Sequence, residues 1–348
     1  MAVRGVLRLI VMSGVLLAGA GAAAATVGQE LARETGKGMI GTRAPRLTLH
    51  TIDGDTIDLG ALYGKKAVYL KFWATWCTPC REQMPHFQKA FETAGPDLAV
   101  IAIDVGFNDS VDAVRALRQR IGITMPIVFD DGQAGAAFHL RVTPQHVLIG
   151  RDGRIAYVGH LADAELDAAL AAARRPSPDT STATMGTPGA QITPRAAQYD
   201  VGQQLPSESL TTLNGERFAF RNPTDRRKTV LVFWSPWCES YLASSRPAVS
   251  ANCRRMREQV SELSKDDGAR WIGIASGLWA TNEDLSSYQM QYRVTLPLTL
   301  DASGALFRAF DVTELPQAFV ADSNGRILKR IRGADLENPA ALRIAVGE

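Results

Sequence analysis

The chain has 348 residues, which is enough for about two ordinary domains. Its composition, with 46% hydrophobic and 21% charged residues, is that of a globular protein, and its formal net charge is +2 at pH 7. A charge so close to neutral, without a long tract of Lys and Arg, argues against nucleic acid as a partner.

The N-terminus has the three parts of a secretory signal peptide. Arg4 and Arg8 supply a short basic region, residues 9–20 are apolar, and small residues follow up to Ala25. We therefore predict a signal peptide over residues 1–25, cleaved near Ala25, and export to the periplasm. The alternative is an uncleaved membrane anchor, because the apolar stretch approaches the roughly 17 residues that a membrane-spanning helix needs.

Strands and helices alternate after this segment, in the order expected of an α/β domain over residues 38–175. The predicted elements are strands at residues 67–70, 98–105 and 126–129, an amphipathic helix at 111–121 and a closing helix at 164–173. Asp152-Gly153, between two apolar runs, predicts an antiparallel hairpin before the closing helix. This order gives a mixed central sheet with helices on both faces.

The same order recurs in a second domain over residues 199–348. Between the two domains, residues 176–198 are rich in Pro, Ser, Thr and Gly, which predicts a flexible linker. The predicted elements of the second domain are strands at residues 229–231, 271–275 and 296–300 and helices at 283–292 and 339–345. Asn324-Gly325 supplies its hairpin turn.

Two motifs mark the repeat. The first is Lys71-Phe72-Trp73-Ala74-Thr75-Trp76-Cys77, which returns as Val232-Phe233-Trp234-Ser235-Pro236-Trp237-Cys238. The second is Val142-Thr143-Pro144-Gln145, which returns with two extra residues before the proline as Val312-Thr313-Glu314-Leu315-Pro316-Gln317. Only the first copy continues to a nearby second cysteine, in Cys77-Thr78-Pro79-Cys80.

Cys77 and Cys80 have the spacing of a redox-active dithiol. One thiolate attacks a disulfide and a second thiol resolves the mixed disulfide, so the two thiols must be neighbours. A helix that begins between them stabilises the thiolate of Cys77, which makes Cys77 the attacker and Cys80 the sheltered resolver. Pro79 is tolerated in a first helical turn, and Trp73 and Trp76 are expected to pack around the site.

Other uses of this cysteine pair fit less well. A zinc site needs two more ligands, and neither a second Cys-x-x-Cys nor a Cys-x-x-His lies nearby. Haem attachment needs His at residue 81, which is Arg. An inert structural disulfide would close an unusually small loop. We therefore predict redox activity of the dithiol, with no metal and no cofactor.

The segment from Trp73 to Cys80, together with Val142-Thr143-Pro144, resembles the thioredoxin superfamily and, within it, the exported TlpA/ResA-like thiol–disulfide reductases. The resemblance is strong over residues 40–172 and weaker over residues 200–346. It implies two tandem thioredoxin-like folds. It also implies that Pro144 is cis and faces the dithiol, so that Thr143, Pro144 and Trp76 contact the substrate.

Two positions depart from the pattern that this resemblance implies. Lys71 stands where thioredoxins carry a buried Asp, and Gln83 stands where exported reductases of this type often have Glu. A cation at residue 71 would favour the thiolate. In the alternative, the stem of Lys71 packs inside and its ammonium group reaches the edge of the domain. The residues expected to tune the site are Lys71, Trp73, Thr78 and Pro79.

The second copy cannot perform the same two-thiol cycle, because Tyr241 stands where the resolving cysteine belongs. Cys253 follows after Pro247, in what should be the same helical region. A break at Pro247 would let Cys253 fold back towards Cys238 and form a disulfide, provided that the Cα atoms come within roughly 7 Å. Two separate thiols, or a bond between molecules, are the alternatives.

Together, these features predict a periplasmic thiol–disulfide oxidoreductase that reduces disulfides of exported proteins. The resemblance implies targets such as apocytochrome c thiols, copper-site proteins and misoxidised envelope proteins, and a membrane or periplasmic thiol as electron donor. The alternative is an envelope chaperone or adaptor, in which the second domain grips a client and the first acts on its thiols. A peroxidase of the peroxiredoxin type would need Pro-x-x-x-Thr-x-x-Cys, which neither Cys77 nor Cys238 has.

Overall fold

The computed structural model describes residues 15–175 and 198–347, which form two α/β domains, each built on a five-stranded mixed sheet. This architecture confirms the predicted fold class of two tandem thioredoxin-like folds. Residues 1–14 of the predicted signal peptide and residues 176–197 of the predicted linker lie outside the described residues. Among the helices described, none is both long and apolar enough to cross a membrane.

The first domain opens with a long helix and then alternates strands and helices. Its elements are α1 (Val15–Met39), β1 (Thr48–His50), β2 (Thr56–Asp58), α2 (Leu59–Leu62), β3 (Ala67–Trp73), α3 (Thr78–Glu82), α4 (Met84–Glu92), a 3-10 turn (Gly95–Asp97), β4 (Leu98–Asp104), α5 (Val111–Ile121), β5 (Ile127–Phe129), α6 (Gln133–Ala137), β6 (Gln145–Ile149), β7 (Ile155–Gly159) and α7 (Ala164–Ala173). The sheet order is β5-β4-β3-β6-β7, with β3 parallel to β4 and antiparallel to β6. Every residue of β3 is buried, because it is the central strand.

The second domain repeats this plan. Its elements are β8 (Ser209–Thr211), β9 (Arg217–Ala219), β10 (Lys228–Trp234), α8 (Cys238–Tyr241), α9 (Pro247–Leu263), β11 (Ala269–Ser276), α10 (Asn282–Tyr292), β12 (Leu298–Asp301), α11 (Ala305–Ala309), β13 (Gln317–Ala321), β14 (Ile327–Arg332), a 3-10 turn (Gly333–Glu337) and α12 (Ala341–Val346). The sheet order is β12-β11-β10-β13-β14, so β10 takes the place of β3. It is parallel to β11 and antiparallel to β13.

Local signals in the sequence set the ends of several helices. α5 begins after Ser110, whose side chain accepts a hydrogen bond from a first-turn amide, and ends at Gly122 with a φ of 68°. α7 begins after Asp163, whose side chain caps it in the same way. Both helices have the predicted bounds, residues 111–121 and 164–173.

Helix α1 packs against the edge strand β7, although the sequence pattern places the start of this domain at residue 38. The amide of His160 donates a hydrogen bond to Oε1 of Gln29 at 2.8 Å. Gly28 lies so close to the ring of His160 that an added Cβ atom would come within 2.5 Å of Nε2. The last turns of α1 therefore belong to the packed structure of the first domain.

The two domains face each other through equivalent loops. Asn108, after β4, donates its amide to the carbonyl of Thr313 at 2.8 Å, and its side-chain oxygen accepts from the amide of Leu315 at 2.7 Å. Trp279, after β11, donates its amide to the carbonyl of Arg141 at 2.9 Å. The loop after β4 thus binds the loop before β13, and the equivalent loop after β11 binds the loop before β6. Asn108 and Trp279 both adopt a positive φ, 51° and 55°.

Candidate active site

Cys77 and Cys80 form a disulfide at the end of the central strand, with their Cα atoms 5.2 Å apart. β3 ends at Trp73, and α3 begins one residue after Cys77, which is its N-cap. The amide of Cys80 donates a hydrogen bond to Sγ of Cys77 at 3.2 Å. In the reduced protein this amide, at the start of a helix, favours a thiolate at Cys77. The two cysteines are therefore not equivalent, because Sγ of Cys77 accepts this hydrogen bond at the start of the helix while Cys80 lies within it.

The loop before β6 lies against the dithiol. The Thr143-Pro144 bond is cis, and the carbonyl oxygen of Thr143 lies 3.4 Å from Sγ of Cys77. Nδ1 of His160 donates a hydrogen bond to the carbonyl of Pro144 at 2.7 Å. Burial lowers the pKa of His160, so its ring is neutral at pH 7 and carries its proton on Nδ1. His160 has no spacing that marks it in the sequence, which is why it is missed there.

Trp73 and Trp76 are fully buried on either side of the turn that leads to Cys77. Nε1 of Trp76 donates a hydrogen bond to the carbonyl of Phe107 at 2.7 Å, which fixes the position of its ring. Nε1 of Trp73 has no hydrogen-bond partner in the part of the chain that the structure describes. The predicted residues Trp73 and Trp76 thus lie buried in the segment before Cys77, and Thr143 contacts Cys77 from the loop before β6.

Lys71 lies beneath the dithiol helix and is fully buried. Its Nζ donates a hydrogen bond to the carbonyl of Cys80 at 3.3 Å and lies 5.5 Å from the centre of the Phe87 ring. Burial without a charged partner lowers the pKa of Lys71 to about 7. The alternative in which the ammonium group reaches the edge of the domain is wrong, because β3 is the central strand and its neighbours close over the side chain.

The second domain carries its own disulfide, between Cys238 and Cys253, with Cα atoms 6.1 Å apart. α8 ends at Tyr241 and α9 begins at Pro247, so the helical region is interrupted before the proline, which lies in the first turn of α9. This interruption, rather than a kink at Pro247, brings Cys253 back to Cys238. Tyr241 holds the position of the resolver, and its hydroxyl accepts a hydrogen bond from the amide of Thr78 at 3.3 Å.

Glu239, which follows Cys238, is tied into the second domain. Its carboxylate accepts a hydrogen bond from Nε of Arg257 at 2.7 Å and another from the hydroxyl of Tyr288 at 3.1 Å. Its carbonyl accepts from Oγ of Ser250 at 2.6 Å. The turn around Cys238 is therefore fastened to α9 and α10, and Cys238 has no thiol partner other than Cys253.

Comparison with known proteins places these features in a family. Residues 40–158 match the family described as AhpC/TSA, and residues 200–344 match the family described as Redoxin. Over 133 residues the chain is 33% identical to the thioredoxin-like protein YneN of Bacillus subtilis. This match covers 37% of this chain and 78% of YneN. Over 150 residues the chain is 31% identical to the thiol-disulfide oxidoreductase ResA of Bacillus thuringiensis. This match covers 42% of this chain and 85% of ResA. The chain belongs to the thioredoxin-like thiol–disulfide oxidoreductases.

Among solved structures, the exposed lipoprotein thioredoxin of Streptococcus pneumoniae is 25% identical to this oxidoreductase. The match covers 37% of this chain and 98% of that one, with a TM-score of 0.34. The AhpC/TSA match does not make the oxidoreductase a peroxidase of the peroxiredoxin type, because Leu70 and Ala74 stand where that chemistry needs Pro and Thr before Cys77.

The oxidoreductase has a neutral hydrogen-bonded network at the position where the resemblance implies a carboxylate. Oε1 of Gln83 accepts a hydrogen bond from Nε2 of His146 at 2.8 Å, and Nδ1 of His146 accepts one from the hydroxyl of Tyr69 at 2.8 Å. Burial lowers the pKa of His146 well below its usual value, so the ring is neutral, as these two bonds require. Lys71 pairs with His146 across β3 and β6. Both side chains reach the dithiol helix, Lys71 at the carbonyl of Cys80 and His146 at Gln83, which ends the helix.

Proposed function

We propose that the chain is a periplasmic reductase that passes two electrons from the Cys77/Cys80 dithiol to disulfides of exported proteins. The observation that carries the proposal is the disulfide itself, which lies at a helix start with the carbonyl of Thr143 3.4 Å from Sγ of Cys77. Export is supported by the N-terminal sequence, in which Arg4 and Arg8 precede an apolar stretch.

The proposed reaction consists of two thiol–disulfide exchanges. The Cys77 thiolate attacks one sulfur of the target disulfide, and the other target sulfur leaves as a thiolate. The Cys80 thiolate then attacks Sγ of Cys77 and releases the first target sulfur as a thiolate. The target gains two electrons and takes up two protons. The enzyme dithiol loses two electrons and two protons and becomes the Cys77–Cys80 disulfide. A membrane-bound or periplasmic dithiol then reduces the enzyme again.

The residues around the dithiol have separate roles in this proposal. Thr143 and Pro144 present the backbone beside which an extended target segment lies, and Trp76 forms a wall next to it. Lys71 tunes the proton affinity of Cys80 through its position under the helix. The remaining residues, which shape the turn, are Trp73, Thr78 and Pro79.

The Cys238–Cys253 disulfide is structural in this proposal. The disulfide joins α8 to α9 within the second domain, and Cys238 lacks the neighbouring cysteine that Cys77 has in Cys80. A mixed disulfide at Cys238 would have no resolver other than Cys253, and Glu239 fastens the turn to its own domain. The second domain therefore contributes through the contacts it makes and not through a thiol cycle of its own.

The test is insulin reduction by the full chain, with dithiothreitol as electron donor and precipitation of the free B chain as the readout. Peroxide consumption by the same preparation is the control for the peroxidase alternative. We expect insulin turnover that disappears in Cys77→Ser, and peroxide consumption no faster than background. Peroxide turnover without insulin reduction would contradict the proposal.

A further inference from the structure

The second domain covers the face of the first domain that a target has to reach. Cys77 and Thr143 each have 0% of their surface exposed. An attacking thiolate must be accessible to the sulfur that it attacks. In the arrangement of the two domains seen here, a protein disulfide therefore cannot approach Cys77.

Trp279 of the second domain satisfies the polar groups of the loop that carries Thr143. Its Nε1 donates a hydrogen bond to Oγ1 of Thr143 at 3.1 Å, and its amide donates to the carbonyl of Arg141 at 2.9 Å. The ring of Trp279 also packs edge-on against His160, with the ring centroids 5.3 Å apart. The loop whose Thr143 and Pro144 we assign to target binding is thus already in contact with the second domain, through the Thr143 side chain and the Arg141 carbonyl.

Two further aromatic residues cover the start of the dithiol helix. Trp237 stacks on Trp76 with ring centroids 5.5 Å apart, and Tyr241 packs edge-on against the same ring at 6.2 Å. The hydroxyl of Tyr241 accepts a hydrogen bond from the amide of Thr78 at 3.3 Å. Tyr241, which cannot act as a resolver, thus contacts Thr78, one of the two residues between the cysteines of the active motif.

An ion pair closes the edge of this contact. Nη2 of Arg246 lies 3.3 Å from Oδ1 of Asp109 and donates a hydrogen bond to Oγ1 of Thr75 at 2.5 Å. The Asp109 carboxylate also accepts from the amide of Thr75 at 2.6 Å, and its side chain has 0% of its surface exposed. Because Asp109 is buried and Arg246 is its basic partner from the other domain, loss of Arg246 would leave an unpaired carboxylate in the contact.

We infer that the second domain is an intramolecular competitor of the disulfide target, and that Trp237, Tyr241, Trp279 and Arg246 set which targets reach Cys77. This inference rests on the proposed reductase function. A target binds only the open form, so its apparent affinity falls by the fraction of molecules that are open. A target that binds the dithiol face too weakly to displace the second domain is excluded. A target that binds tightly enough to displace it has its disulfide reduced.

The test weakens the contact in the full chain and measures access to Cys77. Arg246→Glu removes the ion pair and places a second carboxylate beside Asp109. Trp279→Asn removes the contact with Thr143, and Asn tolerates the positive φ of this position. Arg254→Glu is the matched control, because Arg254 is an exposed arginine of α9 about two helical turns after Arg246. After reduction, the alkylation rate of Cys77 by iodoacetamide is read from its peptide by mass spectrometry, and insulin turnover is measured in parallel.

We expect Arg246→Glu and Trp279→Asn each to raise both rates by about fivefold or more, the change in population that loss of one charged or buried hydrogen bond brings. Arg254→Glu should match the wild type. Equal alkylation and insulin rates in the wild type and both variants would overturn the inference, because the face would then be open in solution. Fast alkylation of both variants without insulin turnover would show a covered face but refute the proposed reductase function.

Discussion

Trp76 and Trp237 stack with their ring centroids 5.5 Å apart and their planes inclined by 23°. Each ring directly precedes the first cysteine of its motif, and each donates Nε1 to a carbonyl of its own domain at 2.7 Å, Phe107 in one case and Leu278 in the other. An aromatic pair of this kind contributes about 0.5–1.5 kcal/mol beyond the area it buries. The two motifs therefore meet at the centre of the contact between the domains.

The two cysteines of the dithiol should give different variant phenotypes. Cys77→Ser should reduce insulin turnover to background, because no attacking thiolate remains. Cys80→Ser should accumulate a mixed disulfide with the target, since attack survives and resolution does not. Non-reducing gels with mass spectrometry of the trapped species check this, and turnover that persists in Cys77→Ser would assign the chemistry to another residue.

Loss of the second disulfide should affect stability more than activity. Cys238 and Cys253 are 15 residues apart in sequence, and a loop of this size contributes about 3 kcal/mol to the free energy of unfolding. The double variant Cys238→Ser/Cys253→Ser should therefore unfold at lower urea concentration under oxidising conditions. Insulin turnover at 25 °C should remain. A folded double variant without turnover would instead indicate electron transfer through the second domain.

Lys71 should make stability depend on pH in a defined direction. Its pKa is about 7 in the folded chain and 10.5 ordinarily, so between these values the unfolded chain binds more protons and wild-type stability rises with pH. Below pH 7 both states are protonated and the full cost of burying the ammonium group remains. Lys71→Met removes this effect, so the stability advantage of the variant over the wild type should be largest below pH 7 and shrink by about 1.4 kcal/mol per pH unit above it. Urea unfolding of the oxidised wild type and variant at pH 6.5 and 9 measures the difference in their free energies of unfolding. This difference should be smaller at pH 9 than at pH 6.5.

Lys71 should also act on the second chemical step. A charged ammonium near Cys80 favours the deprotonated thiol, and a neutral amine there is a base that accepts the thiol proton. In Lys71→Met, the pH at which a preformed mixed disulfide resolves at half its maximal rate should move upward by about one unit. Stopped-flow resolution kinetics report this value. An unchanged pH profile with only a changed stability would assign Lys71 a purely structural role.

Two glycines of α1 should respond oppositely to the same substitution. At Gly28 an added Cβ atom would lie 2.5 Å from Nε2 of His160, a ring held by its bond to Pro144, so Gly28→Ala should cost about 1–3 kcal/mol. At Gly38 nothing lies within 4 Å of the added atom, so Gly38→Ala should gain about 0.5–1 kcal/mol from helix propensity. Thermal unfolding compares them, and equal melting temperatures would mean that α1 does not pack on β7 in solution.

Local signals explain why much of the fold can be predicted from the sequence. The side chains of Ser110 and Asp163 cap the starts of α5 and α7, and the backbone freedom of Gly122 ends α5. Both helices therefore match the sequence pattern at both ends. The dithiol is predicted because the spacing of Cys77 and Cys80 is itself the chemical requirement.

The parts that cannot be predicted depend on distant partners. His146 and His160 lie in or beside apolar strands, and their importance comes from Gln83 and Pro144, which are adjacent only after folding. The same holds for Trp279, whose partner Arg141 lies in the other domain. Hydrophobic periodicity reports that a face is buried but not what buries it.

The reciprocal binding of the Asn108 and Trp279 loops is the arrangement that two identical subunits adopt across a two-fold axis, where each surface patch pairs with its own copy. In a dimer of identical chains, two dithiols would face each other and any substitution would appear twice. Because both halves belong to one chain, one half keeps Cys80 while the other carries Tyr241 at the same position. The molecule is thus a single-chain counterpart of a homodimer, in which one half retains the chemistry and the other is free to change without loss of it.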